Sequence, residues 1–202
     1  MSYKSKPLHL EFSCAATESK LFPEDMGNEI ALCGRSNSGK STLINTIANQ
    51  KKLAETSNTP GRTQSINFFH LKGNDNKKII DLPGFGYAKA SKADQNSWAK
   101  LILSYLKKRN ALTDLILIMD MRHPFQTKDF EFLQLCESLE LPIHLVLTKA
   151  DKLNNKETQQ ALKLVAQKSP EFPNIMSSIV FSAPKKIGLD SLTEKIKQLL
   201  EI

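Results

Sequence analysis

The chain is 202 residues long, enough to bury a core and the size of one ordinary domain. Its 40% hydrophobic and 24% charged content is that of a folded globular protein, which excludes an unstructured or fibrous chain. The formal charge of +7 favours an anionic partner, and no apolar run approaches the roughly 20 residues that span a bilayer.

In chain order, "MSYKSKPLHLEFSCAATESK" lacks a signal-peptide core, and Ser2 stands where N-myristoylation needs glycine. The closing "QLLEI" is no prenylation box. Cys14, Cys33 and Cys136 are odd in number and form no C-x-x-C pair. A reduced, cytoplasmic protein without a membrane anchor is expected. Residues 1–25 read as an amino-terminal arm and first loop around Phe22-Pro23, and residues 26–202 as a single domain. From Asn28 onward, short apolar runs alternate with amphipathic stretches. The runs "EIALC", "INFFHL", "KKIID", "LTDLILIMD", "PIHLVLT" and "SSIVFSA" are strand candidates, most of them apolar throughout, as strands buried on both faces are. "INFFHL" and "KKIID" are joined by Gly73-Asn74-Asp75-Asn76, which predicts a hairpin and one antiparallel edge strand. Trp98, Leu101, Ile102, Tyr105 and Leu106 have helical spacing. "GLDSLTEKIKQLLEI" repeats that pattern from Leu189, with Asp190 or Ser191 as its cap. Six strands and about five helices make a doubly wound α/β fold with a mostly parallel sheet.

Residues 34–41, GRSNSGKS, follow a strand and precede a helix. Gly34-x-x-x-x-Gly39-Lys40-Ser41 is the P-loop pattern, in which backbone N–H groups and a helix amino terminus converge on phosphate. Lys40 would reach the β- and γ-phosphates, and the Ser41 hydroxyl would ligate Mg²⁺. Thr148-Lys149-Ala150-Asp151 ends an apolar strand, where doubly wound sheets bind ligands. Asp151 can accept from guanine N1–H and the 2-amino group, donors that adenine lacks there; the Lys149 stem would lie along the base. Phe181-Ser182-Ala183 ends the next strand, with backbone N–H groups for guanine O6. Asp81-Leu82-Pro83-Gly84 places a carboxylate for water-mediated Mg²⁺ and the Gly84 N–H for a γ-phosphate. In the intervening "NTPGRTQSINFF", Thr59 and Thr63 both qualify to close over Mg²⁺, and Thr63 lies nearer the strand. A guanine-nucleotide switch follows, in a single GTP-binding domain.

Together these stretches resemble the translation-factor-like GTPases and, within them, the EngB (YihA/YsxC) ribosome-biogenesis GTPases. The residues that carry the resemblance are "GRSNSGKSTLIN", "TPGRTQ.INFF", "DLPGFGYAK", "MDMRHP", "TKAD" and "FSA". It extends over residues 10–200, and "DLPGFGYAK" with "RHP" is its specific part. The resemblance implies nucleotide contacts at Gly34, Arg35, Ser36, Asn37, Ser38, Gly39, Lys40 and Ser41. It implies others at Gly61, Arg62, Thr63, Gln64 and Ser65, at Asp81, Leu82, Pro83 and Gly84, and at Thr148, Lys149, Ala150, Asp151, Phe181, Ser182 and Ala183. It makes Ser41 and Thr63 the Mg²⁺ ligands. It also implies assistance to large-subunit ribosome assembly, and a part in cell division and septation. Arg122-His123-Pro124 has no mechanism derivable from the sequence beyond a turn after "LILIMD".

The residue after Asp-x-x-Gly is Phe85, where Ras-like switches carry a water-orienting Gln. Unassisted hydrolysis at such sites runs at about 10⁻⁴–10⁻³ s⁻¹. The triphosphate is therefore a timed signal. Lys40, Thr63, Gly84 and Asn37 are the residues expected to act on the reaction, Asn37 by holding a K⁺ ion. Residues 86–110 carry Lys89, Lys92, Lys100, Lys107, Lys108 and Arg109 against Asp94, a net +5 beside the switch motif. By itself this charge fits a solvated helix face as well as an anionic partner; the resemblance makes ribosomal RNA or a ribosomal particle the expected partner, with the protein a monomer. The rival reading is a division-regulating GTPase acting through a protein effector. A metabolic P-loop kinase is disfavoured by the missing lid insertion and by Thr148–Asp151.

Overall fold

The computed structural model describes residues 5–54, 65–85 and 92–202, the side chains of 92–96 and 98 excepted. Strands β1 (Leu10–Ala16), β2 (Asn28–Gly34), β3 (Ile66–Leu71), β4 (Asn74–Asp81), β5 (Leu112–Asp120), β6 (Ile143–Thr148) and β7 (Ile175–Val180) form one sheet in the order β1-β3-β4-β2-β5-β6-β7. β2 runs parallel to β4 and β5, and β5, β6 and β7 continue parallel. β3 is antiparallel to both neighbours. Helices α1 (Lys40–Ile47) and α5 (Leu189–Leu200) cover one face; α2 (Lys92–Lys108), α3 (Thr127–Ser138) and α4 (Asn155–Lys168) cover the other.

β5 illustrates why continuous apolar runs become strands here. Leu115, Leu117 and Met119 enter the core beneath α2, α3 and α4, while Ile116 and Ile118 enter the core beneath α1 and α5. Alternate side chains point to opposite faces, so a strand covered by helices on both sides needs no polar positions.

The doubly wound fold class holds, with seven strands rather than six. The additional strand, β1, comes from the arm and pairs with β3, so β3 lies one place in from the sheet edge. Leu10 and Ala16 are buried while Phe12 is 52% exposed. Ser13, Cys14, Ala15 and Ala16 are small, so this strand lacks the continuous run of large apolar residues that marks the others. The β3–β4 hairpin is tighter than its four-residue reading: Leu71 pairs with Asn74, leaving Lys72 and Gly73 as the turn. At α5 neither Asp190 nor Ser191 is the cap; Gly188 holds that position. Asp190 instead accepts hydrogen bonds from the Ser5 N–H and hydroxyl, at 3.1 and 2.9 Å, tying the arm to α5. Among the described residues no helix is long and apolar enough to cross a membrane.

A buried ion cluster closes the amino-terminal ends of the strands. Glu29 on β2 is fully buried and receives Arg109 Nη2 at 2.6 Å, Arg109 Nε at 2.9 Å and the Tyr105 hydroxyl at 2.8 Å. Arg109 also donates to the Pro23 and Glu24 carbonyls at 2.6 and 3.0 Å. Burial and the adjoining Glu29 push the Tyr105 hydroxyl well above its usual range, so it stays a protonated donor. Arg109, counted above in the +5 charge of residues 86–110, is therefore a core residue. Lys100, Lys107 and Lys108 are exposed on α2.

Candidate nucleotide site

β2 leads straight into the phosphate loop. A Cβ at Gly34 would lie 2.4 Å from the Ile118 carbonyl, so only glycine lets the loop leave alongside β5. Gly39 has φ of +100°, a conformation that L side chains rarely adopt, and α1 starts at the next residue. The first-turn N–H groups of α1 thus face the loop's concave side without intrahelical acceptors. The Thr148 hydroxyl lies between the Ser38 and Met119 carbonyls and steadies the loop from β6. Ser38 Oγ is buried and has no partner among the described residues, a donor suited to a phosphate oxygen. Lys40 Nζ pairs with the Asp81 carboxylate, so a cation and a carboxylate meet beside the phosphate loop.

Arg35 behaves differently from its neighbours. Its Nε donates to Asp129 Oδ1 at 3.1 Å and its Nη2 to the His123 carbonyl at 2.7 Å. The side chain latches the loop to the start of α3 and leaves only its backbone for a nucleotide. Burial pushes the Asp129 carboxyl upward, and Arg35 opposes that shift.

Asp81 ends β4 directly opposite Asn67 of β3, whose Nδ2 lies 3.4 Å from Asp81 Oδ2. The Ser65 hydroxyl donates in turn to Asn67 Oδ1 at 3.1 Å. Leu82 and Pro83 are buried, so they offer main chain rather than side chain. The Phe85 N–H donates to the Gly34 carbonyl and the Ser36 N–H to the Phe85 carbonyl, laying this segment along the phosphate loop. The Phe85 ring turns inward and stacks on Phe132 of α3, centroids 4.8 Å apart. No side chain at this position aims a water.

The base corner forms where β6 and β7 end. Asp151 Oδ1 accepts the Ser182 hydroxyl at 2.7 Å, and this bond holds the carboxyl below its usual range. The Ala150 N–H donates to the Phe181 carbonyl. Three N–H groups were expected to be open to guanine O6 at Phe181–Ala183; two are engaged in the fold, Phe181 with the Leu147 carbonyl and Ser182 with the Ile187 carbonyl. The Phe181 ring is buried. That leaves the Ala183 N–H for a ligand. Lys149, with φ of +61°, donates from Nζ to the Asn37 carbonyl at 2.6 Å, joining base corner to phosphate loop.

The fold thus assembles Gly34–Ser41, Asp81–Gly84, Thr148–Asp151 and Phe181–Ala183 along the carboxyl ends of β2, β4, β6 and β7. Ser41 is the second residue of α1. Thr59, Gly61, Arg62, Thr63, Gln64, Tyr87 and Lys89, and the side chains of Lys92 and Trp98, lie outside the described residues. The sequence reading missed Asn67 and Asp120. Each has a partner two residues away in the chain, Ser65 for Asn67 and Arg122 for Asp120, but the contacts that tie them to the site, Asn67 to Asp81 and Asp120 to Lys149, form only between neighbouring strands.

Residues 29–149 match the family model described as 50S ribosome-binding GTPase. A "Probable GTP-binding protein EngB" of Haemophilus influenzae (strain PittEE) is 44% identical over 185 residues, 92% of this chain and 89% of the relative. The chain belongs to the EngB family of GTP-binding proteins. The relative of the same name from Francisella philomiragia is 46% identical over 184 residues, 90% of this chain and 92% of its own. A crystal structure of a probable EngB protein aligns with a TM-score of 0.68 at 27% identity, covering 86% of this chain and 98% of that one. As an EngB protein the chain binds guanine nucleotide and is a P-loop GTPase of the ribosome-biogenesis type.

Proposed function

We propose that this GTPase is a slow switch that docks on a ribosomal particle in its GTP state and assists assembly of the large subunit. The observation that carries its nucleotide-switch part is the bridge from Lys149 to the Asn37 carbonyl, which ties the Asp151–Ser182 corner to the phosphate loop. In this reading Asp151 accepts from guanine N1–H and the 2-amino group, and the Ala183 N–H donates to O6. Lys40 contacts the β- and γ-phosphates. Ser41, Thr63 and Asp81 would hold Mg²⁺, and the Gly84 N–H would meet the γ-phosphate. Mg²⁺ supplies charge neutralisation on the phosphates when bound.

The description of the family model and the exposed lysines of α2 support a ribosomal partner. A monomer working in the cytoplasm, with a part in division and septation through ribosome supply, completes the reading. Co-sedimentation with ribosomal particles in a non-hydrolysable GTP analogue and in GDP tests it. Binding is expected to be stronger with the analogue and to weaken steeply between 50 and 200 mM salt, on the order of 100-fold for about five phosphate contacts. The variant Lys107→Glu with Lys108→Glu should bind more weakly with a flatter slope and keep its GTP affinity. Binding to a protein effector in the absence of particles would favour the rival division-regulating role.

The inward Phe85 leaves hydrolysis without a positioned Gln, and Asn37 is exposed at the loop crest. A K⁺ held by Asn37 near the phosphates would stabilise developing charge as an arginine finger does. Single-turnover hydrolysis is expected to be faster in KCl than in NaCl at equal ionic strength, and Asn37→Ala should erase the difference. Equal wild-type rates in both salts would discard the cation.

A further inference from the structure

A charge cluster at the carboxyl end of β5 stands beside the base corner and has no part in the roles assigned above. Asp120, the last residue of β5, is 8% exposed and pairs in register with Thr148 of β6. Its Oδ1 accepts from the Arg122 N–H at 3.1 Å and from Arg122 Nε at 2.9 Å. Its Oδ2 accepts from Arg122 Nη2 at 2.6 Å and from Lys149 Nζ at 3.0 Å. Burial pushes the Asp120 carboxyl upward, and the Arg122 and Lys149 hydrogen bonds outweigh it, keeping the group ionised below the usual carboxylate range.

Lys149 is therefore gripped from two sides. Asp120 takes one of its protons and the Asn37 carbonyl takes another. An unheld lysine stem samples many rotamers, and ordering it during binding costs affinity. The carboxylate removes that freedom beforehand. Arg122 supplies the counter-charge that lets a buried carboxylate persist and fixes its plane by a two-point contact.

We propose that Asp120 is a positioning residue for the nucleotide. It aligns the Lys149 stem along the plane of the base and, through Lys149, holds the Asn37 turn of the phosphate loop in its binding form. This rests on the reading of Lys149 and Asp151 as base contacts. It also gives the Arg122-His123 segment a role, since the His123 carbonyl receives Arg35 from the same loop.

The test compares GDP affinity and dissociation rate for the wild type, Asp120→Ala, Lys149→Ala and the double variant. Each single substitution is expected to cost roughly tenfold or more in affinity, chiefly through faster dissociation. The double variant should bind no more weakly than Lys149→Ala, because both changes remove one unit. The preference for GDP over XDP, which belongs to Asp151, should not move in Asp120→Ala. Asp120→Asn, which keeps the shape but not the charge, is measured alongside so that a folding defect in the alanine variant cannot decide the outcome. Additive losses, or wild-type affinity in both Asp120 variants while Lys149→Ala is weakened, overturn the positioning role alone. An unaffected Lys149→Ala removes the base-site reading, and this role with it.

Discussion

Asp151→Asn is expected to reverse the base preference, with GDP losing to XDP by a relative factor on the order of 10⁴. The carboxylate offers only acceptors, and guanine presents two donors toward it, N1–H and the 2-amino group. An asparagine replaces one acceptor by a donor. Xanthine, whose 2-position is a carbonyl, then matches and guanine does not. The Ser182 hydroxyl, 2.7 Å from Asp151 Oδ1, orients the carboxylate and leaves Oδ2 for the expected ligand contact. Because that bond lowers the folded-state ionisation range of Asp151, the acceptor is fully present at neutral pH. This contribution to binding is lost only as pH falls through the depressed value, well into acid. Competition of GDP and XDP against a fluorescent nucleotide measures the switch. An unchanged preference in a folded Asp151→Asn protein would remove this residue from the base site. Lys40→Ala serves as the control, since a phosphate contact should weaken both nucleotides alike.

Arg109→Ala is expected to lower unfolding free energy by about 3–5 kcal/mol, because it removes the partner of the Glu29 carboxyl in the core. Glu29 is fully buried and, among the described residues, would keep the Tyr105 hydroxyl at 2.8 Å and Lys78 at 3.4 Å. The Pro23 and Glu24 carbonyls would lose their donor as well. Arg109→Lys should recover little, since one ammonium cannot serve Glu29 and two carbonyls with the geometry of a guanidinium fork. Urea unfolding of both variants is the measurement, and a loss below about 1 kcal/mol would show that the cluster is solvated. Nucleotide affinity, measured where the variants remain folded, should be unaffected. The cluster sits at the start of β2 and the phosphate loop at its end, about 20 Å away for a strand of this length. The same burial removes Arg109 from any RNA-facing surface, so its loss should leave the salt dependence of particle binding intact.

These two predictions mark the division between local and non-local information. By itself the sequence determined the alternation of strands and helices, the phosphate loop from Gly34 to Ser41, the Asp81–Gly84 element and the Thr148–Asp151 corner. Each is a contiguous stretch in which residue type dictates backbone path or local chemistry, so no distant partner is needed to read it. The tertiary structure decided what the charged and polar side chains face. Arg109 reads as one more cation on a lysine-rich helix until β2 brings Glu29 beside it from 80 residues away. Arg35 belongs to the phosphate loop in sequence, yet its guanidinium is claimed by Asp129 of α3. Asp120 and Lys149 become a pair because β5 and β6 lie side by side in register. The arm becomes a strand because β3 has a free edge for it. Apolar periodicity specifies which face of an element is buried, but a charge reads the same whether water or a partner neutralises it. Its partner is set by which elements become neighbours, and only the assembled sheet decides that.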